Sequence, residues 1–267
     1  MDYKNEVAQY RKKDAVLSLC VYAFVVIYTV AMWSFLGRFE GTQLQSQLVS
    51  MGAGLLWIVV VCAIVLVKKQ KLASIGMHGM NLRKALTLGC VFALIPLAIN
   101  VIVPMVLYDV TIRSAGNILF LLLFFLINAA WEDVFFVGFM QTRLYGLFKT
   151  DIVAISVGAA LFAFVHIPVG LAENGMGLIG SDFVIYLVGL FFMHQMFVLL
   201  FRRYFSLATV VVVHTIFNWS YTAIWWWAPE TAQYATFWSS IAGLVLIIAV
   251  NVWDWRSGLK NKKIASI

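Results

Sequence analysis

Glu132 and Asp133 lie side by side in the middle of a long apolar run, and later apolar stretches contain His166, His214 and Asn218. An acid at bilayer depth costs several kcal/mol unless it is paired, neutralised or hydrated. A carboxylate beside an imidazole can bind a water molecule and remove its proton. A second imidazole and an amide can donate hydrogen bonds to a developing oxyanion. These residue types therefore suit the metal-free hydrolysis of an amide bond.

The spacing along the chain places these groups at comparable depth. At the rise of a helix, Glu132 lies roughly 16 Å from Arg143 at the inner end of its stretch. His214 lies roughly 16 Å into a later stretch, and His166 about 22 Å into its own if that helix is straight. His214 and Asn218 are four residues apart and therefore share one helix face. The spacing predicts that three helices bring these side chains together.

Composition predicts the elements that position them. The chain has 267 residues, of which 63% are apolar and only 12% charged, whereas a soluble domain has roughly 25% charged residues. We therefore predict an all-α, polytopic transmembrane helical bundle in the lipid bilayer. It forms a single integral-membrane domain over residues 1–267, with a motif-bearing core at about 117–226. Basic segments without an aromatic-lined soluble fold argue against a nucleic-acid partner.

Eight apolar stretches approach the ~20 residues that cross a bilayer. They cover about 15–36, 49–67, 85–107, 117–142, 151–168, 183–201, 205–226 and 234–253. The fifth and sixth are short, which leaves tilted or partly re-entrant helices open there. Of the 19 basic residues, 17 fall on one side of this arrangement, and only Arg38 and Arg113 fall on the other. The asymmetry predicts eight spans with both termini cytoplasmic.

Each polar residue also has a simpler interpretation. A membrane carboxylate can pair with another polar group and lock two helices together, and Asn218 can be an interhelical hydrogen-bond donor. A single membrane histidine is often structural, and His194, which has no motif around it, is interpreted in that way. The tryptophans at 225–227 are interpreted as lipid anchors at the outer end of the seventh stretch. The conjunction of residues, rather than any one of them, favours a reactive site.

The same residues resemble the CPBP family of intramembrane proteases, which includes type II CAAX prenyl endopeptidases and bacterial Abi-type proteins. The family's first motif, Glu-Glu-x-x-x-Arg, is matched from Glu132. Its second, Phe-x-x-x-His, is matched by Phe162 to His166, and its third, His-x-x-x-Asn, by His214 to Asn218. The three motifs occur in the expected order over roughly residues 130–220.

This resemblance implies roles for the residues. Glu132 and His166 would activate a water molecule, and His214 and Asn218 would form the oxyanion site, with Asp133 in a supporting position. The substrate would be a peptide or small protein, membrane-associated or prenylated, in a bacterial cell membrane. No cofactor is then needed. A zinc ion remains a minority alternative, because nothing in the chain matches His-Glu-x-x-His.

Two positions depart from the family pattern. Asp133 stands where the family has its second glutamate, and Val137 stands where it has arginine. The missing cation keeps a second hypothesis open, in which the protein is a non-catalytic membrane regulator, scaffold or bacteriocin-immunity protein of the same family. A third hypothesis, an ion or proton relay, is weaker, because no inverted repeat or pair of broken helices is evident.

Overall fold

The chain folds into a bundle of helices joined by short connectors in a computed structural model that describes residues 3–36, 41–168, 181–227, 231 and 233–265. The α-helices are α1 (Tyr3–Ala8), α2 (Lys12–Leu36), α3 (Gln43–Val67), α4 (Leu82–Leu97), α5 (Val103–Leu107), α6 (Ala115–Glu132), α7 (Gln141–Leu144), α8 (Asp151–Val165), α9 (Ser181–Tyr204), α10 (Leu207–Thr222) and α11 (Gln233–Ala265). A 3-10 helix spans Leu72–Ile75, and π-helices span Ala98–Ile102 and Asp133–Met140. Two short strands are β1 (Val110–Ile112) and β2 (Trp225–Trp227).

Each of the eight predicted apolar stretches coincides with a helix. Within the described residues, six helices are long and apolar enough to cross a membrane, and two of them are continuous through a π-helix (82–107 and 115–144). The chain is therefore a multi-pass integral membrane protein with the predicted all-α architecture. The number of spans and the side of the termini stay predictions.

Two helix lengths differ from the expectation. The sixth stretch, expected to be short, lies in the 24-residue helix α9. The seventh helix, α10, has only 16 residues and ends at Thr222. The fifth, α8, is short as expected, with 15 residues.

The helix α10 ends early because the three tryptophans that follow it form strand β2. This strand pairs antiparallel with β1, with Ile112 opposite Trp225. Aromatic side chains favour the extended backbone of a strand. Arg113 donates from Nε to the Trp225 carbonyl oxygen at 3.1 Å, and its guanidinium lies 3.5 Å from the centre of the Trp226 ring. The connectors after α5 and α10 therefore meet at one end of the bundle, a contact that the lipid-anchor interpretation did not predict.

The connectors predicted to be cytoplasmic meet at the opposite end. Arg202, at the end of α9, lies 2.6 Å from an Asp254 oxygen and 3.6 Å from an Asp151 oxygen. These acids come from α11 and from the start of α8. Near the N-terminus, Tyr10 donates to Glu6 Oε1 at 2.7 Å, and burial raises the pKa of its hydroxyl, so the hydroxyl stays protonated. Charged residues of α8, α9 and α11 thus meet at one end of the bundle.

Close helix packing positions the motif-bearing helix α10. It packs against α4 on one side and α6 on the other. A Cβ atom on Gly89 of α4 would lie 2.9 Å from the Thr209 carbonyl oxygen, so only glycine permits this approach. Thr209 Oγ1 also donates to the Ala85 carbonyl oxygen at 3.1 Å. The position of α10, and with it of His214, relative to α4 is therefore set by close backbone contact.

Candidate active site

The helix that carries the acidic pair changes its hydrogen bonding at the pair. Glu132 is the last residue of α6, and Asp133 is the first residue of a π-helix of eight residues. At its end the N–H of Gln141 donates to the carbonyl oxygen of Phe136, five residues earlier. All eight residues from 133 to 140 are buried. π-helical segments inside α-helices occur frequently at functional sites.

Both acids lie against one imidazole. His214 Nδ1 lies 3.2 Å from Asp133 Oδ1, and His214 Nε2 lies 3.9 Å from Glu132 Oε2. Because an ionised carboxylate only accepts hydrogen bonds, Nδ1 carries the proton of the shorter contact. The longer distance is not a hydrogen bond. Asp133 is 1% exposed, and its second oxygen is buried without a partner. One histidine thus lies beside both acids, within hydrogen-bond distance of Asp133 only.

Asn218 lies on the same helix, one turn after His214, as predicted from the spacing. It is half-buried, and its backbone carbonyl oxygen accepts a hydrogen bond from Thr222 Oγ1 at 2.9 Å. The ring of Phe197 packs against the His214 imidazole, with the two ring centroids 4.7 Å apart. Helix α10 therefore presents an imidazole and an amide on one face.

His166 lies at the end of α8. Its Nδ1 lies 2.8 Å from the Phe162 carbonyl oxygen. A carbonyl oxygen only accepts, so Nδ1 donates and Nε2 keeps the lone pair. In the described part of the chain, no hydrogen bond or ion pair joins His166 to Glu132. The structure therefore brings together Glu132, Asp133 and His214, and it leaves His166 outside their contacts.

The two departures from the family motif have clear surroundings. Val137 is 1% exposed and packs in the apolar core, so no cation replaces the family arginine at this position. Arg143 does not replace it either, because its guanidinium donates to Ser74 and Thr142 at the inner end of the helix. Asp133 instead finds its partner in His214.

Sequence reasoning missed three neighbours of this site. His194, interpreted as structural, is fully buried on α9, and its Nε2 lies 3.2 Å from Gln141 Oε1. His194 is also within electrostatic range of His166 and His214. Gln141 and Phe197 were not selected at all. The available signal for Gln141 was a polar side chain near the end of an apolar run, nine residues after Glu132. The contact of Phe197 depends on how α9 packs and has no local signal.

The residues do not fit a zinc ion. Zinc sites use three or four protein ligands that converge on one centre. Among the residues that the structure describes, no three His, Cys, Asp or Glu side chains are grouped in this way. His214 Nδ1 already faces Asp133. No step of the chemistry is therefore assigned to a metal.

Residues 114–220 match the protein-family model of the type II CAAX prenyl endopeptidase Rce1-like proteins. No curated protein and no solved structure is significantly similar to the chain. The matched segment contains all three motifs, from Glu132 to Asn218, together with the π-helix at 133–140 and most of α10. It confirms the resemblance that the motifs indicate. Through residues 114–220, this integral membrane protein is similar to the Rce1-like family of type II CAAX prenyl endopeptidases.

Proposed function

We propose that this chain is an intramembrane endopeptidase that hydrolyses a peptide bond without a metal ion. A water molecule activated by Glu132 and His166 is the nucleophile, and His214 and Asn218 form the oxyanion site. The observation that carries the proposal is the position of the His214 ring beside two adjacent acids, the buried Asp133 and the partly exposed Glu132, inside the segment that matches a protease family.

Glu132 is the general base. Its carboxylate accepts a proton from water, and the water oxygen attacks the carbonyl carbon of the scissile peptide bond. The side chain is 20% exposed, which leaves it accessible to water. When the tetrahedral intermediate collapses, the carbon–nitrogen bond breaks and the same proton passes from Glu132 to the leaving nitrogen. Glu132 therefore acts first as a base and then as an acid.

His214 stabilises the oxyanion. Its Nδ1–H donates to Asp133, whose negative charge orients the ring and stabilises its positively charged form, as the aspartate does in hydrolase triads. The proton on Nε2 then points into the space before Glu132. The distance of 3.9 Å between Nε2 and Glu132 Oε2 is too long for a hydrogen bond, which leaves His214 Nε2 available to the substrate oxygen. Asn218 supplies a second donor one helical turn away.

His166 assists in activating the water. The hydrogen bond from its Nδ1 to the Phe162 carbonyl oxygen leaves the Nε2 lone pair available to accept a hydrogen bond from the water molecule, which orients it while Glu132 takes the proton. No hydrogen bond or ion pair joins the described side chains of His166 and Glu132, so the water molecule and the substrate are the link between them in this mechanism.

A prenylated peptide is the substrate class to test first. The family is named for the cleavage of peptides that end in the Cys-a-a-X prenylation motif. A prenyl chain partitions into the bilayer, and this brings a scissile bond to acids that lie within the membrane. The same chemistry would act on other membrane-associated peptides.

The buried Val137 favours one second candidate. A family member without the motif arginine can act as a non-catalytic membrane regulator that binds a partner. In that case Asp133 and His214 would join α6 to α10 and do nothing more.

The test is a comparison of wild type with Glu132→Gln in proteoliposomes, using an internally quenched, farnesylated Cys-a-a-X peptide. We expect a loss of roughly 100-fold or more in cleavage rate, because the amide cannot accept the proton of water. The matched control is Asp109→Asn, the same change at an exposed position before β1. It should cleave at the wild-type rate.

Equal rates for wild type and Glu132→Gln would overturn the proposal. Absence of cleavage by wild type, in both this assay and a peptidomic comparison of cells carrying wild type and Glu132→Gln, would support the regulator instead. That candidate also predicts one stable partner in a pulldown that Glu132→Gln retains.

A further inference from the structure

Helix α9 contributes a histidine to the interior that the mechanism does not use. His194 is fully buried, and its Nε2 lies 3.2 Å from Gln141 Oε1. The other polar atoms of this pair, His194 Nδ1 and Gln141 Nε2, are buried without a partner. Incompletely satisfied polar groups in an apolar interior are costly and call for an explanation beyond packing.

The ring of His194 reaches the proposed catalytic histidine through one phenylalanine. Phe162 lies between the two imidazoles, with its centroid 5.1 Å from His194 and 4.7 Å from His166. The planes of the Phe162 and His194 rings differ by only 25°. Phe162 is also the residue whose carbonyl oxygen accepts the Nδ1–H of His166. Because the His194 ring stacks on Phe162, it also restrains the residue whose carbonyl oxygen orients the His166 ring.

The hydrogen bond to Gln141 connects this stack to the acidic pair. Gln141 lies nine residues after Glu132 on the same continuous helix. A Cβ atom on Gly158 of α8 would overlap Gln141 Oε1 and would lie 3.2 Å from His194 Nε2, so α8 provides room for the pair at this glycine. The pair thus touches the three helices that carry Glu132, His166 and His194.

We propose that His194 is a positioning residue that fixes the orientation of His166 relative to Glu132, through its stack on Phe162 and its hydrogen bond to Gln141. The consequence for catalysis rests on the proposed function. The consequence for the His166 ring does not, because it can be observed without any substrate.

The first test observes the ring nitrogens of histidine directly. The chain has four histidines, so protein labelled with ring-¹⁵N histidine in detergent micelles gives a small spectrum, in which His166 is assigned from the His166→Ala variant. In wild type we expect His166 to be protonated at Nδ1 and unprotonated at Nε2. His194→Gln keeps a donor near Nε2 but removes the ring. We expect it to convert His166 to a mixture of tautomers.

Two further variants separate the contacts. His194→Phe keeps a ring against Phe162 and should preserve the single His166 tautomer. Phe162→Leu removes the stack and should give a mixture of His166 tautomers. If His194→Gln does not fold, Phe162→Leu carries the same expectation. His78→Gln, on the connector after the 3-10 helix, is the control and should leave the His166 signals unchanged. Wild-type His166 signals in both His194→Gln and Phe162→Leu would overturn the proposal.

The second test separates positioning from binding. With the farnesylated peptide in proteoliposomes, we expect His194→Gln to lower kcat about tenfold with an unchanged KM, because a misplaced catalytic group affects the chemical step. A changed KM with unchanged kcat would contradict the positioning role. If wild type cleaves no peptide, the proposed function fails while the ring spectra still decide the role of His194.

Discussion

The continuous helix from residue 115 to 144 buries charge at two places that differ in how fully that charge is satisfied. At its C-terminal end, Arg143 is 2% exposed. One terminal nitrogen donates to Ser74 Oγ at 3.1 Å and to Gln70, and the other to Thr142 Oγ1 at 2.8 Å. The guanidinium also lies 4.6 Å from the centre of the Tyr10 ring. This cation has polar and aromatic partners on several sides.

The acidic pair eleven residues earlier is incomplete by comparison. Asp133 uses one oxygen for His214 and leaves the other buried without a partner. Glu132 is partly exposed, and its oxygen is 3.9 Å from the nearer imidazole nitrogen. A fully satisfied polar network makes a protein rigid, whereas groups left open are available to a ligand. The C-terminal end of the helix is thus well paired, whereas the acidic pair retains a buried oxygen without a partner, which fits the role of the pair in the proposed function.

Removing the Arg143 guanidinium should have the largest effect on stability. Arg143→Met leaves the buried Ser74 hydroxyl and the half-buried Gln70 amide oxygen without a donor, and we expect a loss of about 3 kcal/mol in unfolding free energy. Arg143→Lys keeps the charge but not the forked donor geometry and should lose less. Unfolding in mixed detergent micelles measures both.

The control for this prediction is Arg256→Met, at an exposed position of α11, which should leave the unfolding free energy unchanged. If Arg143→Met were as stable as this control, the guanidinium would contribute nothing to the fold, and the contrast between the two ends of the helix would be lost.

Removing the negative charge of Asp133 should instead affect the reaction. Asp133→Asn keeps an acceptor near His214 Nδ1 but removes the negative charge that stabilises the charged ring. We expect the cleavage rate to fall by roughly 100-fold, while the unfolding free energy changes by less than about 1 kcal/mol. The measurements are the proteoliposome assay and unfolding on the same preparation.

Asp133→Glu, which restores the residue of the family motif, is the companion variant and should retain more activity than Asp133→Asn. A marked loss of stability in Asp133→Asn, with unchanged cleavage per folded molecule, would assign to Asp133 only the role of joining two helices.

The sequence predicts some of these features because they are local. Apolar length locates the helices, and a spacing of four residues places His214 and Asn218 on one face. Asp133 and His214 are 81 residues apart in the sequence, so their contact depends on how their two helices pack. The position of His194 beside the site likewise depends on how α9 packs. Neither has a local signal.

Two backbone features escaped the sequence for a related reason. A π-helix shifts hydrogen bonds by one residue without changing the apolar pattern, so the run after Glu132 resembles any membrane helix. Trp225 is equally suited to a membrane interface and to a strand, and only the partner strand at 110–112 decides between them.

A smaller effect is expected from a glycine of α3 that packs beside the acidic pair. A Cβ atom on Gly54 of α3 would lie 2.8 Å from Cδ1 of Trp131, the residue before Glu132. Gly52, on the same helix, has nothing within 4 Å of its added Cβ. We expect Gly54→Ala to lose about 1–2 kcal/mol of unfolding free energy, because the Trp131 ring must shift. Gly52→Ala should lose nothing, since alanine favours a helix more than glycine does.

The two alanine variants also differ in what they should do to the reaction. Because Trp131 adjoins Glu132, its displacement should lower the cleavage rate of folded Gly54→Ala several-fold, while folded Gly52→Ala cleaves at the wild-type rate. Unfolding and cleavage are measured on both variants in the same micelles and vesicles. If Gly54→Ala lost stability but kept its full rate per folded molecule, the acids would tolerate movement of their own helix. The two acids would then be held less closely in position than a catalytic site requires.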